Sequence, residues 1–196
     1  MIYKIMACLI LLIFYSVYVI KMLQQRREGI KTDNLGKGKK GFIRIIEVLL
    51  KICSYIIVVA EIISIIIYNQ TINPYVRIIG LIIAALGTLV FIKAVIDMKN
   101  NWRAGISKNE KTELVTNGIY GWSRNPAFLG FDLTYIGIAM AFFNIPLLII
   151  SIVTVIVFHL QIVNVEEDFL IANFGQEYVN YKKSVNRYFG KKLTRK

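Results

Sequence analysis

The stretch AFLGFDLTYIGIAMAFFNIPLLIISIVTVIVFHLQIV, residues 127–163, decides the fold. It contains two apolar runs, 127–143 and 145–163, interrupted by Asn144 and Pro146. Each run approaches the ~20 residues that carry a helix across ~30 Å of hydrocarbon. Backbone in lipid must satisfy its own hydrogen bonds, and the runs are too long for barrel strands, so both are helices. Asn144 and Pro146 leave room only for a tight turn, which predicts an antiparallel hairpin.

Three more apolar runs lie upstream, at 5–20, 45–68 and 75–96. Together they predict an all-α integral membrane protein with about five transmembrane helices, closed by a C-terminal helical hairpin and an interfacial tail helix. Composition agrees, because 56% of the residues are apolar or aromatic and 18% are charged, an imbalance that a soluble domain of 196 residues rarely carries. The chain reads as a single membrane domain, with helices over 1–98 and a cofactor-binding part over 99–196. No small-residue cleavage site follows the first run, so it reads as an uncleaved helix. Cys8 and Cys53 both fall inside apolar runs and read as small buried hydrophobes.

The net charge is +12, which in a soluble protein would suggest nucleic acid as a partner. Here the basic residues lie between the apolar runs. Eight Lys and Arg fall in 21–44, six in 93–126 and seven in 164–196, against Lys4 and Arg77 on the opposite side. The positive-inside rule then puts the N-terminus outside and the long loops, the tail and any site they build in the cytoplasm, against anionic headgroups. Gly36 to Gly41 reads as a mobile loop touching those headgroups. On the second helix Glu47 and Lys51 are four apart and positioned to pair, whereas Glu61 is deeper, either structural or on a cavity. From Phe169 onward aromatic and basic residues mix as on an interfacial helix.

Most familiar catalytic patterns are missing: there is one His, no metal-ligand cluster, no phosphate loop and no Ser or Cys beside a base. That leaves reactions in which a bound cofactor supplies the reactive group. Two stretches stand out. Leu114 to Gly130, LVTNGIYGWSRNPAFLG, runs into the fourth helix, and Glu166-Glu167-Asp168-Phe169-Leu170 with Phe174-Gly175, Glu177-Tyr178 and Tyr181 follows the fifth. The hairpin brings both to the cytoplasmic side.

The order Leu-Val-Thr-x-Gly-x-Tyr, then Arg-Asn-Pro-x-Phe-x-Gly, then Glu-Glu with Phe-Gly-x-x-Tyr, resembles the isoprenylcysteine carboxyl methyltransferase family and the related phospholipid N-methyltransferases, over roughly residues 100 to 190. The resemblance implies a cytoplasm-facing pocket for S-adenosylmethionine and a lipophilic methyl acceptor from the bilayer. It implies cofactor contacts at Glu113, Leu114, Val115, Tyr120, Asn125, Pro126, Ala127, Phe128 and Glu166. Asn125 stands where the family has His, and Phe128 where it has Tyr, so a phenol hydrogen bond and any proton transfer by that His are absent here. Among groups suited to the chemistry, Glu166 or Glu167 would pair with the cofactor's ammonium and Arg124 would orient a carboxylate. Tyr120, Trp122 and Phe128 would face the adenine or sulfonium.

If the acceptor needs a base, Glu167 and His159 are the local candidates. His159 precedes Glu166 by seven residues, which on an α-helix sets both on nearly one face, along the inner wall. Trp102 and Arg103 read either as closing the pocket or as contacting headgroups. Two other readings compete. One is an NADPH-dependent, sterol-reductase-like enzyme, whose members are generally larger. The other is a non-catalytic membrane protein on the same scaffold, motivated by the missing His and Tyr.

Overall fold

A computed structural model describes residues 1–67, 72–105 and 112–192. Six α-helices follow one another among the described residues: α1 (Ile2–Arg27), α2 (Gly41–Ile67), α3 (Pro74–Met98), α4 (Pro126–Ala141), α5 (Ile145–Gln161) and α6 (Glu167–Ser184). Among the described residues there is no strand, only isolated bridges between Asp33 and Ala104 and between Val185 and Lys191. Four helical stretches among the described residues are long and apolar enough to cross a membrane, and α4, at 16 residues, is shorter. At 1.5 Å per residue α4 spans about 24 Å, less than a full hydrocarbon core. The five apolar runs are thus all helical, and the protein is a multi-pass membrane protein of the all-α class. Residue 68, assigned to the second run, lies outside the described residues.

The hairpin forms as the sequence predicts. Phe142 and Phe143 leave α4, and the Asn144 side chain accepts a hydrogen bond from the Leu147 amide (2.9 Å) and donates to Ser64 on α2 (2.8 Å), capping α5 and fastening the turn to the bundle. Pro146 occupies the first turn, where its missing N–H costs nothing.

The seam between α3 and α4 holds the bundle together. Gly80 and Gly87 on α3 face Gly137 and Gly130 on α4, each pair of spacing seven lying on one helix face. A Cβ on Gly80 would stand 2.6 Å from the Gly137 carbonyl, and one on Gly130 would stand 2.8 Å from the Gly87 carbonyl. Small residues let the two backbones touch, which is how helices attract in lipid, where burial of apolar surface gives no net drive. Below this seam Phe14, Phe91, Phe131 and Tyr135 form an aromatic cluster with centroids 4.7 to 6.0 Å apart.

On the N-terminal side of the Gly36–Gly41 stretch, the segment between α1 and α2 is tied to the residues that follow α3. Asn34 donates its amide to the Ala104 carbonyl (2.8 Å) and Ala104 donates to Thr32 (2.9 Å). Thr32 donates to Gln25 (2.7 Å), which donates to the Trp102 carbonyl (2.7 Å). Glu47 and Lys51 do not pair with each other as their spacing suggested. Both reach back to this loop instead, Glu47 to Lys39 and to the Gly36 amide, Lys51 to Asp33 at 2.6 Å. Cys53 is buried as expected, whereas Cys8 is exposed on the outer face of α1; neither is in a disulfide.

Candidate active site

The end of the hairpin opposite the Asn144 turn is built around one carboxylate. Glu167 begins α6, and Arg124 Nη1 (3.0 Å), Arg187 Nε (2.8 Å) and Lys182 Nζ (2.8 Å) all donate to it. Arg124 also donates to the Tyr178 hydroxyl (2.8 Å) and the Val185 carbonyl (3.2 Å). The Arg124 and Glu167 side chains are only 4% and 5% exposed, so this is a buried ion pair extended by two half-exposed cations. Hydrogen bonding to Glu167 holds the Arg187 guanidinium above its already high value.

The tail completes the wall. Gly175, with φ of +50°, breaks α6 in two, so the tail is not one continuous interfacial helix. Tyr178 and Tyr181 turn inward onto Leu114 and Val185, and Tyr181 donates to the Tyr120 carbonyl at 2.6 Å. Residues 185–191 fold into a small hairpin whose Asn186 carbonyl accepts from the Arg124 amide (3.1 Å) and whose Arg187 carbonyl accepts from Asn125 Nδ2 (3.2 Å). Asp97 holds the facing loop by accepting from the Ile119 amide (2.8 Å).

Two cavities lie inside this frame. The first, about 140 Å³, is bounded by Glu113, Tyr120, Arg124, Asn125, Glu166 and Phe174 among others. The second, about 220 Å³, runs into the bundle past Tyr18, Leu50, Ser54, Val58, Phe131 and Tyr135. They meet at Trp102, Arg103, Gly105, Ala127, Phe128 and Glu166, which line both. Trp102 is buried, so of its two readings the structure supports pocket closure. Burial keeps the Tyr120 phenol strongly raised and therefore neutral, with its hydroxyl on the Met98 sulfur at 3.1 Å. At the mouth of the second cavity burial would raise the Asp33 carboxyl, but hydrogen bonds from Lys51 and the Leu35 amide, with Lys37 nearby, hold it below the usual carboxylate range.

The residues named from the sequence divide accordingly. Glu113, Tyr120, Asn125, Ala127, Phe128 and Glu166 line the first cavity, whereas Leu114, Val115 and Pro126 flank it. Leu114 packs on the Tyr178 cluster instead, and Pro126 starts α4. Two of the candidate residues lie outside both linings. Both carboxylate oxygens of Glu167 accept from cations, Oε1 from Arg124 and Arg187 and Oε2 from Lys182. His159 is exposed on the outside of the bundle, its Nδ1 2.8 Å from the Tyr188 hydroxyl, and lines neither cavity. The cause is the π-helical turn Ile162–Glu166, whose extra residue rotates the downstream helix by about 100°, separating two positions that an unbroken α-helix would align. Nothing in the sequence pointed to the cation cluster on Glu167, nor to residues 31–35 as a roof over the second cavity, which Asp33 and Leu35 line. Lys182 and Arg187 looked like ordinary tail charges, and no local signal tied them to Glu167.

A family model described as phospholipid methyltransferase matches residues 75–177. Among curated proteins, the Protein-S-isoprenylcysteine O-methyltransferase of Saccharomyces cerevisiae is 40% identical over 72 residues, 37% of this chain and 30% of that protein. The proteins of the same name from Tribolium castaneum and Xenopus laevis are 29% and 32% identical over 110 and 114 residues, 55% and 57% of this chain and 39% of each relative. The matches thus cover 30 to 39% of these relatives' lengths.

Proposed function

This chain belongs to the phospholipid methyltransferase family, and we propose that it is a membrane-embedded enzyme that transfers a methyl group from S-adenosylmethionine to a lipophilic acceptor entering from the bilayer. The observation that carries the reading is the pair of adjoining cavities, one mixed in lining, with several polar and charged side chains, and facing the loops, the other more apolar and running into the bundle. Charge placement supports a cytoplasmic position for the adjoining cavities, with the N-terminus outside.

The donor set of the first cavity fits S-adenosylmethionine. Glu166 faces it and, unlike Glu167, has no ion-pair partner among the described residues, so it suits an ammonium. Tyr120, Phe128 and Phe174 offer aromatic faces to a flat ring or a sulfonium. Asn125 lines the cavity with one amide hydrogen committed to Arg187, keeping its carbonyl oxygen as an acceptor. When bound, S-adenosylmethionine supplies a methyl group on a positively charged sulfur.

The chain's own residues align and dry the junction. Phe128, packed edge-on against Phe158 with centroids 5.3 Å apart, and buried Trp102 wall off water where the two cavities meet. Transfer there rests on alignment of donor and acceptor rather than on a base. The carboxylates at hand support this. Glu167 is locked, Asp33 is paired with Lys51, Glu166 is assigned to the ammonium, and Glu113 lines the first cavity but not the junction where transfer takes place. The acceptor that suits such a site is already ionised, and we assign it to the carboxylate of a lipid-modified cysteine, in keeping with the relatives' name. Arg103, at the junction, positions it.

The test is binding and turnover of the full chain in nanodiscs. S-adenosylmethionine quenches Trp102 fluorescence with an affinity that Glu166→Gln lowers at least tenfold, and a labelled methyl group appears on a prenylcysteine analogue. No donor binding together with no labelled product from prenylcysteine analogues or total membrane lipids refutes the reading.

A further inference from the structure

Glu61 lies on α2 with its side chain fully buried, and the transfer site does not use it. Its Oε2 accepts a hydrogen bond from the Tyr15 hydroxyl at 2.7 Å, while Oε1 has no partner among the described residues. A carboxyl placed this way is costly in a lipid-embedded bundle. What it secures is a single side chain.

Tyr15 occupies a boundary. On its inner side it lines the apolar cavity together with Tyr135. On its outer side it lines a groove between α1 and α2 formed by Leu12, Val19, Ile62 and Ile66, all exposed on the outer surface and therefore open to lipid. Tyr15 is the one residue shared by the two linings. The inner cavity begins at Lys51 and the partition is anchored at Glu61, ten residues further along the same helix, a rise of about 15 Å.

We propose that Tyr15, held by Glu61, is the partition that ends the acceptor cavity and sets the longest hydrocarbon tail it takes. Glu61 is a positioning residue and Tyr15 a specificity-determining one. The word acceptor rests on the methyl-transfer reading; the dependence of binding on chain length does not. Referred to free ligand in water, each methylene that the cavity takes up tightens binding by up to about fourfold. That gain stops where the tail meets the tyrosine ring, and removing the ring joins cavity to groove so that it continues.

The experiment measures binding of N-acetyl-S-alkylcysteines, lengthened two methylenes at a time, to the full chain in nanodiscs. Quenching of Trp102, which lines the cavity, is read in a Trp122→Phe background. In the unaltered cavity the dissociation constant falls with each added methylene and then levels. Tyr15→Ala moves that break to longer tails and tightens the longest by at least tenfold. Glu61→Leu, which removes a buried carboxyl without adding bulk, moves it in the same direction, and Glu61→Gln, still an acceptor for the tyrosine hydroxyl, restores it. In turnover the change falls on KM for long tails rather than on kcat. A break at the same chain length in Tyr15→Ala and wild type overturns the proposal, as does a Glu61→Leu profile identical to wild type. Absence of donor binding and of methyl transfer to any acceptor refutes the methyl-transfer reading and leaves the binding series to decide the partition by itself.

Discussion

Replacing Glu167 by alanine is the sharpest test of the architecture, because the structure makes this side chain a keystone rather than a catalyst. Arg124 and Glu167 are 4% and 5% exposed, and breaking a pair buried to that degree strands a charge, at about 3–5 kcal/mol. Lys182 and Arg187 are 38% and 30% exposed, so each contributes at most about 1 kcal/mol to the same carboxylate. Glu167→Ala should therefore destabilise by several kcal/mol, Lys182→Ala by a fraction of that. The double variant Arg124→Ala, Glu167→Ala should lose much less than the sum of its singles, since no fully buried charge is left unpaired and the released Lys182 and Arg187 are exposed enough to be solvated. Thermal unfolding of the protein in nanodiscs measures all four. At the roughly 2–4 °C per kcal/mol of a chain this size, Glu167→Ala lowers the midpoint by on the order of 10 °C. A midpoint within about 2 °C of wild type, or equal losses for Lys182→Ala and Glu167→Ala, would refute the reasoning. A base would behave differently. Its removal spares the melting temperature and abolishes turnover with amine or hydroxyl acceptors.

Three further outcomes rest on the same geometry. His159→Ala should leave methyl transfer unchanged within a factor of two, because the imidazole lines neither cavity; a hundredfold loss in kcat would return His159 to the mechanism. Gly137→Leu should prevent stable folding, since its Cβ would meet the Gly80 carbonyl and the Ala84 backbone, a cost above the ~1–3 kcal/mol of ordinary overpacking; folded yield equal to wild type counts against the close α3–α4 seam. Asp33 is held below its usual range, so its bond to Lys51 contributes stability above the unfolded carboxyl's pKa of ~3.9 and loses it as pH falls through the lower folded value. Asp33→Asn should thus speed amide exchange of residues 31–35 at neutral pH, and the excess over wild type should shrink in acid; equal exchange in both proteins at neutral pH contradicts the roof.

What was legible in the sequence was whatever a local rule encodes. The hairpin followed from two long apolar runs around Asn144 and Pro146, and the candidate pocket from two blocks that this hairpin brings together. What escaped depends on partners far apart in the chain. Glu47 and Lys51 have helical pairing spacing, yet each finds a better partner in the loop that folds back over them, Lys39 and Asp33, because those contacts also close the roof. The glycine faces of α3 and α4 carry a signal, a spacing of seven in both helices, but it acquires meaning only when the two are known to be neighbours.

The fate of the adjacent pair Glu166 and Glu167 shows most clearly why sequence reasoning stopped where it did. As neighbours on any helix they point about 100° apart, so one can face the cavity while the other faces the tail. Which does which depends on the π turn at Ile162–Glu166, and nothing in the residue types announces it. That turn aims Glu166 at both cavities and places Glu167 among Arg124, Lys182 and Arg187, while leaving His159 behind on the outer surface. A single extra residue in one turn thus separates a carboxylate available for binding from one consumed in holding the pocket together. Variants that restore an unbroken α-helix there, by deleting one residue between Ile162 and Val165, should exchange these roles and lose both donor binding and the clasp at once. A variant that keeps either one intact would show that the π turn is incidental.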